Sequence, residues 1–213
     1  MQKIYDAKQT PEEYESKGKE NNFPEMNGCL NPSCAVYLKN VGIQRFGFYR
    51  RSVLDGVFNR KILIRRYRCK YCKMTFSFLP SFCLPYYQHS LKIISLILLN
   101  IVSQEKTVIE YQETLKEEYP KLPIYRQNIE FYIKRFKTNI EMIKFGLRQL
   151  MPEVKLPEKG EEKEAKEVLN IVHNGFEQIH TFSQRFFAQC KYSFMASIQD
   201  ILAQQKADIQ GSA

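Results

Sequence analysis

The 213-residue chain lacks the segments that would place it in a membrane or direct it out of the cell. Its longest apolar stretch, LKIISLILLNIV at residues 91–102, is interrupted by polar residues and is well short of the roughly 20 residues that a membrane-spanning helix needs. Residues 1–22 are polar and contain no apolar segment typical of a signal peptide. The sequence therefore predicts a cytoplasmic protein with no membrane partner.

Motifs of common enzyme sites are also missing. The sequence contains no Gly-rich phosphate-binding loop, no nucleophile elbow and no His-Glu metalloprotease motif. It has no Trp, three His and only four Asp, at positions 6, 55, 200 and 208. His173 and His180 lie seven residues apart without a Glu-x-x-His companion, which argues against a metal site there. We therefore expect that the chain is not an enzyme.

Six cysteines are present, and four of them form two close pairs. Cys29 and Cys34 have four residues between them, and Cys69 and Cys72 have two. This spacing is typical of structural zinc sites, because Zn²⁺ prefers four thiolates in a tetrahedron. Disulfide pairing is the alternative, but cytosolic cysteines at such spacings are usually metal ligands. The sequence therefore predicts one structural Zn²⁺ bound by these four residues.

Positive charge is concentrated in the segment that carries these cysteines. The formal net charge of the chain is +9 at pH 7, whereas residues 29–89 alone carry +10 and contain one acid, Asp55. A Zn²⁺ ion with four thiolates is formally −2, so the occupied segment would still carry about +8. Such a charge attracts phosphate groups and indicates a nucleic-acid partner. The alternative is an ordinary solvated face, which is the usual role of charge runs.

After the first cysteine pair, short runs of β-branched and aromatic residues alternate with Arg and Lys, which is the pattern of strands. We predict antiparallel strands at 45–53 and 61–68, joined by the turn signal Asp55-Gly56, and a third strand at 74–78. Three short strands cannot supply a sufficient core, so the metal must contribute to stability. Residues 1–27, by contrast, are polar and predict a loosely held N-terminal arm.

The chain becomes helical after the third predicted strand. Apolar residues at helical spacing predict helices at about 86–104 and 106–118, and a third from Pro123 or Ile124 to about Leu147. The second and third helices, joined by a proline-marked turn, form a candidate helix-turn-helix. An ordinary amphipathic helix in a bundle is the alternative. Polar side chains of the third helix lie off its apolar stripe, as on a helix that reads DNA, and they include Arg126, Gln127, Asn128 and Lys134.

These patterns divide the chain into four segments. We expect a flexible N-terminal arm at 1–27, a zinc ribbon at 28–85, a helix-turn-helix-like domain at 86–151 and a C-terminal helical region at 152–213. The last region has two apolar helical patterns, which predict a hairpin packed on itself or forming the contact of a homo-oligomer. The predicted fold class is α+β, with a four-cysteine zinc ribbon of three short antiparallel strands followed by an all-helical region.

Residues 66–80, RYRCKYCKMTFSFLP, resemble the N-terminal zinc ribbon of bacterial insertion-sequence transposases. Leu84-Pro85-Tyr86 and Tyr49-Arg50-Arg51 also match, and the resemblance covers roughly residues 27–140. It implies that the ribbon and a following helix-turn-helix bind DNA together. Two features differ from that family. Lys73 stands where Gly is usual, and the chain lacks the strand pattern and three carboxylates of the ribonuclease-H-like domain.

We therefore expect a sequence-specific protein that binds double-stranded DNA, is related to transposase N-terminal regions, lacks a nuclease domain and acts as a regulator or accessory factor. One alternative is a subunit of an active transposase or recombinase with catalysis on another chain. The other is a zinc-stabilised protein-interaction adaptor. The expected DNA contacts come from the predicted strands and the third predicted helix: Arg45, Arg50, Arg51, Arg65, Arg66, Arg68, Arg126, Gln127, Asn128 and Lys134.

Overall fold

The computed structural model describes residues 1–104, 106–160, 163–176, 179–199 and 201–202. The strands within these residues are β1 (Gln2–Tyr5), β2 (Ile43–Asp55), β3 (Phe58–Cys69) and β4 (Thr75–Pro80). The α-helices are α1 (Pro11–Lys17), α2 (Leu91–Leu98), α3 (Val108–Glu118), α4 (Arg126–Thr138), α5 (Ile140–Leu150), α6 (Glu164–Gly175) and α7 (Ile179–Cys190). This part of the chain therefore has the predicted α+β class.

One mixed sheet contains all four described strands, in the order β1-β4-β3-β2. The strands β2 and β3 form an antiparallel hairpin whose turn contains Gly56 at φ 78°, a conformation that favours glycine. The strand β4 pairs antiparallel with β3 and parallel with β1. The three predicted antiparallel strands are confirmed, but the predicted number of strands is wrong, because β1 adds a fourth.

The N-terminal residues are part of this sheet region, so the prediction of a flexible arm at 1–27 is wrong. The helix α1 begins with a capping box, in which the Thr10 hydroxyl accepts from the Glu13 N–H and the Glu13 carboxylate accepts from the Thr10 N–H. Tyr14 on this helix is fully buried, and its ring meets the ring of Phe82 edge-on at 5.7 Å between centroids. One buried aromatic side chain and the pairing of β1 with β4 hold the segment.

The first predicted helix begins five residues later than expected. Tyr86, at its predicted start, has φ 70° and is not helical. The α-helix starts at Leu91, where the Ser90 hydroxyl accepts a hydrogen bond from the Ile93 N–H. The helix α2 then continues into a π-helical turn at Leu99–Ser103.

The third predicted helix is two helices, because the chain bends at Asn139 between α4 and α5. The Asn139 amide donates to the carbonyl oxygens of Phe194 and Ala196, both at 2.9 Å. The apolar stripe continues across the bend, since Phe136 and Ile143 are both buried. The sequence periodicity therefore finds the buried face but not the break.

The two predicted C-terminal helices are present as α6 and α7, and both contact α5 as well as each other. Their buried side chains belong to one apolar cluster that extends through the whole helical layer and contains 26 buried residues of the described chain. The predicted region 152–213 extends past residue 202, and its last residues lie outside the described part. Every helix in the described residues is too short or too polar to cross a lipid bilayer.

Candidate metal centre and charged surface

The four paired cysteines come together in the structure. The sulfur atoms of Cys29, Cys34, Cys69 and Cys72 all lie within 4.8 Å of one another. The Sγ atoms of Cys29 and Cys72 are 3.6 Å apart, and those of Cys34 and Cys69 are 3.8 Å apart. A disulfide requires about 2.05 Å, so the thiols are not paired with each other. The arrangement is a cage of four sulfurs that a metal ion could occupy.

The second cysteine pair is held by a tight turn at the end of β3. The Lys73 N–H donates to the Cys69 carbonyl at 3.1 Å, and the Cys69 N–H donates to the Met74 carbonyl at 3.0 Å. Lys73 has φ 61°, in the left-handed region that favours glycine. The unusual residue at this position therefore adopts the backbone conformation that the turn requires.

The first cysteine pair lies in the loop before β2. The Cys34 N–H donates to the Asn31 carbonyl at 3.0 Å, and the Leu38 N–H donates to the Cys29 carbonyl at 2.9 Å. Gly28 is needed for this path, because a Cβ atom at that position would lie 2.9 Å from the Leu38 backbone. The loop folds back on itself and directs both sulfurs towards the turn that follows β3.

The thiols differ in how easily they ionise. Desolvation raises the pKa of the Cys29 thiol, which is fully buried. Desolvation also acts on Cys72, but hydrogen bonds from the Met74 N–H and the Asn31 side chain outweigh it and bring the pKa of this thiol to about 7. Of these two thiols, Cys72 is therefore the one that loses its proton more readily. A bound cation would favour loss of the remaining protons.

The six arginines predicted from the strands have different environments in the structure. Arg51 points inward from β2, and its guanidinium donates to the carbonyl oxygens of Leu84 and Tyr87, the latter at 2.6 Å. This side chain ties the sheet to the loop that precedes α2. Arg51 therefore forms an internal contact, and its side chain has little freedom to bind a ligand.

Three arginines of β3 lie over aromatic rings. The guanidinium carbon of Arg65 is 4.3 Å from the centroid of the Phe48 ring. Those of Arg66 and Arg68 lie 5.4 Å and 4.9 Å from the centroid of Phe46. Stacking on a ring restricts a guanidinium and leaves its edge able to donate hydrogen bonds. All three arginines are half-buried and pre-oriented, Arg66 and Arg68 over Phe46 on one face of β3 and Arg65 over Phe48 on the other.

A β-bulge in β2 places Phe46 beside Arg66 and Arg68. The pairing between β2 and β3 shifts between Arg45 and Phe48, so that two residues of β2 lie opposite one of β3. Gly47 has φ 70° and no atom lies within 4 Å of where its Cβ would be, so the backbone conformation, not space, favours glycine. The sequence signal for this feature is Phe-Gly-Phe inside a strand pattern, which the sequence interpretation did not use.

The two remaining arginines of β2 are exposed. Arg45 forms an ion pair with Glu25, in which both side chains are 61% exposed, so the pair contributes little to stability. Arg50 is exposed on the same strand. Asp55, the only acid of residues 29–89, is buried and accepts a hydrogen bond from the Ser90 hydroxyl. Burial raises the pKa of this carboxyl, which further weakens its ability to neutralise the arginines.

The predicted contact residues of the third helix lie on α4. Arg126 and Gln127 are exposed, and Arg126 forms an ion pair with Glu130 at 2.6 Å. The amide oxygen of Asn128 accepts from the Tyr125 N–H at 3.0 Å, so this side chain caps its own helix. Lys134 is exposed about two turns further along. Among the four, Gln127 and Lys134 have the greatest freedom to contact a ligand.

Comparison with known protein families finds a match to part of the chain. A family model described as a domain of unknown function (DUF6431) matches residues 32–117, which is less than half of the chain. The matched segment includes the sheet hairpin, three of the four clustered cysteines and most of α3. No curated protein and no solved structure matches the chain.

Proposed function

We propose that the chain is a zinc-stabilised protein that binds double-stranded DNA. In this proposal Cys29, Cys34, Cys69 and Cys72 hold one structural Zn²⁺. The arginine-bearing β2–β3 hairpin then contacts phosphates, and the exposed face of α4 reads bases. The resemblance to transposase N-terminal regions, together with the missing nuclease pattern, supports a role as a regulator or accessory factor.

The sulfur geometry supports zinc. A tetrahedral site with Zn–S distances of about 2.3 Å has sulfur–sulfur edges of about 3.8 Å. Two of the edges are 3.6 and 3.8 Å and all lie within 4.8 Å, so the cage has about the size that such a site requires. Four thiolates without oxygen ligands also favour Zn²⁺ over Mg²⁺ or Ca²⁺.

The observation that carries the DNA proposal is the uncompensated charge of the hairpin. Residues 29–89 carry +10 with Asp55 as their only acid, and that carboxyl is buried against Ser90. Arg65, Arg66 and Arg68 are half-buried and have no carboxylate partner from their own segment. Stacking on Phe46 and Phe48 lowers the entropy that these side chains lose when they bind phosphate.

DNA affinity at different salt concentrations tests the proposal. Each phosphate contact that is removed should lower the slope of log affinity against log salt by about one unit. We expect this result for Arg66→Ala and for Arg68→Ala on every duplex sequence. Arg185→Ala is the control, because Arg185 also stacks on a ring, that of Phe176, but lies on α7 outside the hairpin.

A second test concerns the proposed roles of the β2–β3 hairpin in contacting phosphates and of α4 in reading bases. Gln127→Ala should weaken binding to a preferred duplex by about 1 to 3 kcal/mol and change binding to random DNA little. If the wild-type protein shows no salt-dependent binding to any duplex, the DNA proposal is wrong and the protein-interaction adaptor replaces it. Strand cleavage with Mg²⁺ in the presence of a second chain would instead favour the transposase-subunit alternative.

A further inference from the structure

A cavity of about 470 Å³ lies between three parts of the chain that are distant in sequence. Its walls come from residues 1–4 at the N-terminus, residues 30–38 of the first cysteine loop, and residues 184–191 on and just after α7. Its volume falls within the roughly 300 to 1,000 Å³ that is typical of small-molecule sites. None of the arginines proposed to contact DNA lines it.

The body of the cavity is mainly apolar. Leu30 and Pro32 come from the loop between the first two cysteines, so the metal centre positions one wall directly. Phe187 of α7 and Ile4 of β1 contribute further apolar side chains to the lining. Walls of this composition bind the apolar part of a small molecule by removing it from water.

The charges that line the cavity are all positive. Lys3 and Lys191 both line it, as does the N-terminal residue Met1, whose ammonium donates to the Thr75 carbonyl at 3.1 Å. No carboxylate is among the residues described as lining it. Desolvation and then the charge of Lys191 lower the pKa of Lys3, which indicates that the two ammonium groups repel each other. A negative group placed between them would relieve that repulsion.

We infer that this cavity binds a small amphipathic anion, an organic molecule with an apolar body and one carboxylate or sulfonate. The apolar body packs against Ile4, Leu30 and Phe187, and the anionic group lies between Lys3 and Lys191. The inference does not depend on the proposed DNA binding, since it concerns a different surface. Because the ligand would contact three separate segments, its binding should also stabilise their association.

The test uses anilinonaphthalene sulfonate, a fluorescent aromatic anion, on the full-length metal-loaded protein. We expect saturable binding at one site, displaced by decanoate at about tenfold lower concentration than by decanol, because only decanoate carries the charge that the lysines recognise. The combined variant Lys3→Met and Lys191→Met should remove this difference. Lys116→Met, which changes an exposed lysine on α3, should preserve it.

A variant that fills the cavity gives an independent test of the inference. Ala188→Trp places a large ring at the cavity wall and should abolish the binding, whereas Gln189→Trp, at the next and exposed position of α7, should not. Circular dichroism should be used to check whether each variant folds. If Ala188→Trp does not fold, the lysine variants decide alone. Equal displacement by decanoate and decanol in the wild type, or unchanged binding by a folded Ala188→Trp variant, would overturn the inference.

Discussion

The sheet region (residues 1–83) and the helical region (residues 84–202) are stabilised in different ways. The helical region has one apolar cluster of 26 buried residues among those described. The sheet region has two clusters of seven each, and three members of the second are Cys29, Cys34 and Cys69. Because thiols take the place of aliphatic side chains in this cluster, its stability depends on the ligand that the thiols bind. We therefore propose that a metal ion stabilises the sheet region, whereas apolar packing stabilises the helical region.

The two regions meet at several separate places, where β1 contacts α7 and β2 contacts α2 and the loop before it. The Leu54 N–H donates to the Gln88 carbonyl at 3.0 Å, and the Ser90 N–H donates to the Leu54 carbonyl at 2.9 Å. At the tip of the hairpin the Asn59 amide donates to the Lys121 carbonyl at 3.1 Å. The elements that meet across this boundary are less extensively paired than the strands inside the sheet, so we expect that one region can lose structure while the other keeps it.

The largest expected effect comes from removing one thiolate. Cys69→Ser should abolish stoichiometric zinc binding, because serine is a poor zinc ligand, and the lost binding energy is on the order of 10 kcal/mol. We expect one zinc per chain in the wild type by elemental analysis and none in the variant. Limited proteolysis should then cut within residues 29–78 and spare α2 to α7.

The matched control is another buried cysteine. Cys83 lies in the sheet region outside the sulfur cage, and its side chain packs in the first sheet cluster. Cys83→Ala should therefore keep full zinc and full protease resistance of the sheet. Zinc at wild-type stoichiometry in Cys69→Ser would show that the cage is not the binding site.

The next largest effect tests whether apolar packing stabilises the helical region. Phe182 on α7 is fully buried, and its ring lies 5.1 to 5.4 Å from those of Phe176, Phe186 and Phe194. Phe182→Ala should lower the free energy of unfolding of the helical region by about 3 to 5 kcal/mol, measured by urea denaturation. Zinc content should not change, and loss of zinc would mean that the regions are more tightly coupled than we propose.

Phe145→Ala provides the control for that substitution. Phe145 lies on α5 in the same region, but its side chain is 53% exposed. Truncating it should change the free energy of unfolding by less than about 1 kcal/mol. A similar cost at Phe145 and Phe182 would indicate that burial in this cluster does not determine the stability of the helical region.

The sequence predicts the parts of the fold that depend on local signals. Asp55-Gly56 predicts the hairpin because it marks a turn, and the paired cysteines predict the sulfur cage because their spacing is typical of metal sites. The capping box at Thr10-x-x-Glu13 was also a local signal, but the charge of the surrounding residues led to the prediction of a flexible arm. Attention to that motif would have identified α1.

Other features depend on contacts that sequence periodicity does not contain. The strand β1 has four residues, and its partner β4 lies more than 70 positions away. The bend at Asn139 is fixed by carbonyl groups more than 50 residues further along the chain. The roles of the arginines also depend on geometry, since Arg51 and Arg50 are adjacent in sequence but only the former points inward.

Two capping residues allow a smaller test, one in each region. Thr10 begins α1 in the sheet region and Thr107 begins α3 in the helical region, both with complete capping boxes. Either threonine changed to alanine should cost about 1 kcal/mol, because an N-terminal N–H loses its partner. Amide hydrogen exchange should show the loss in α1 for Thr10→Ala and in α3 for Thr107→Ala. Loss of protection in both helices from either change would contradict the separation of the regions.

The smallest expected effect concerns pH at the contact between the regions. His89 is buried, its Nδ1 lies 2.7 Å from the Tyr132 hydroxyl, and desolvation lowers its pKa. The unfolded chain therefore binds a proton more readily at this residue. Stability should fall as the pH drops below the usual histidine value of about 6.5.

Protonation of the metal-binding thiolates also lowers stability in acid. The effect of His89 is therefore measured as the difference between the wild type and His89→Gln. His89→Gln removes the ionisable group, and the metal contributes equally to both proteins. Between pH 7.5 and 5.5 the wild type should lose more free energy of unfolding than His89→Gln. An equal loss in both proteins would show that His89 does not contribute to the pH dependence.

Amide hydrogen exchange before and after removal of the metal with a chelator tests the central claim most directly. We predict that the protected amides of β2, β3 and β4 exchange rapidly after chelation, while those of α2, α4 and α5 keep their protection. Returning one equivalent of Zn²⁺ should restore the strands. Unchanged protection of the strands without metal, or simultaneous loss in strands and helices, would contradict the proposal that the metal stabilises one region and packing the other.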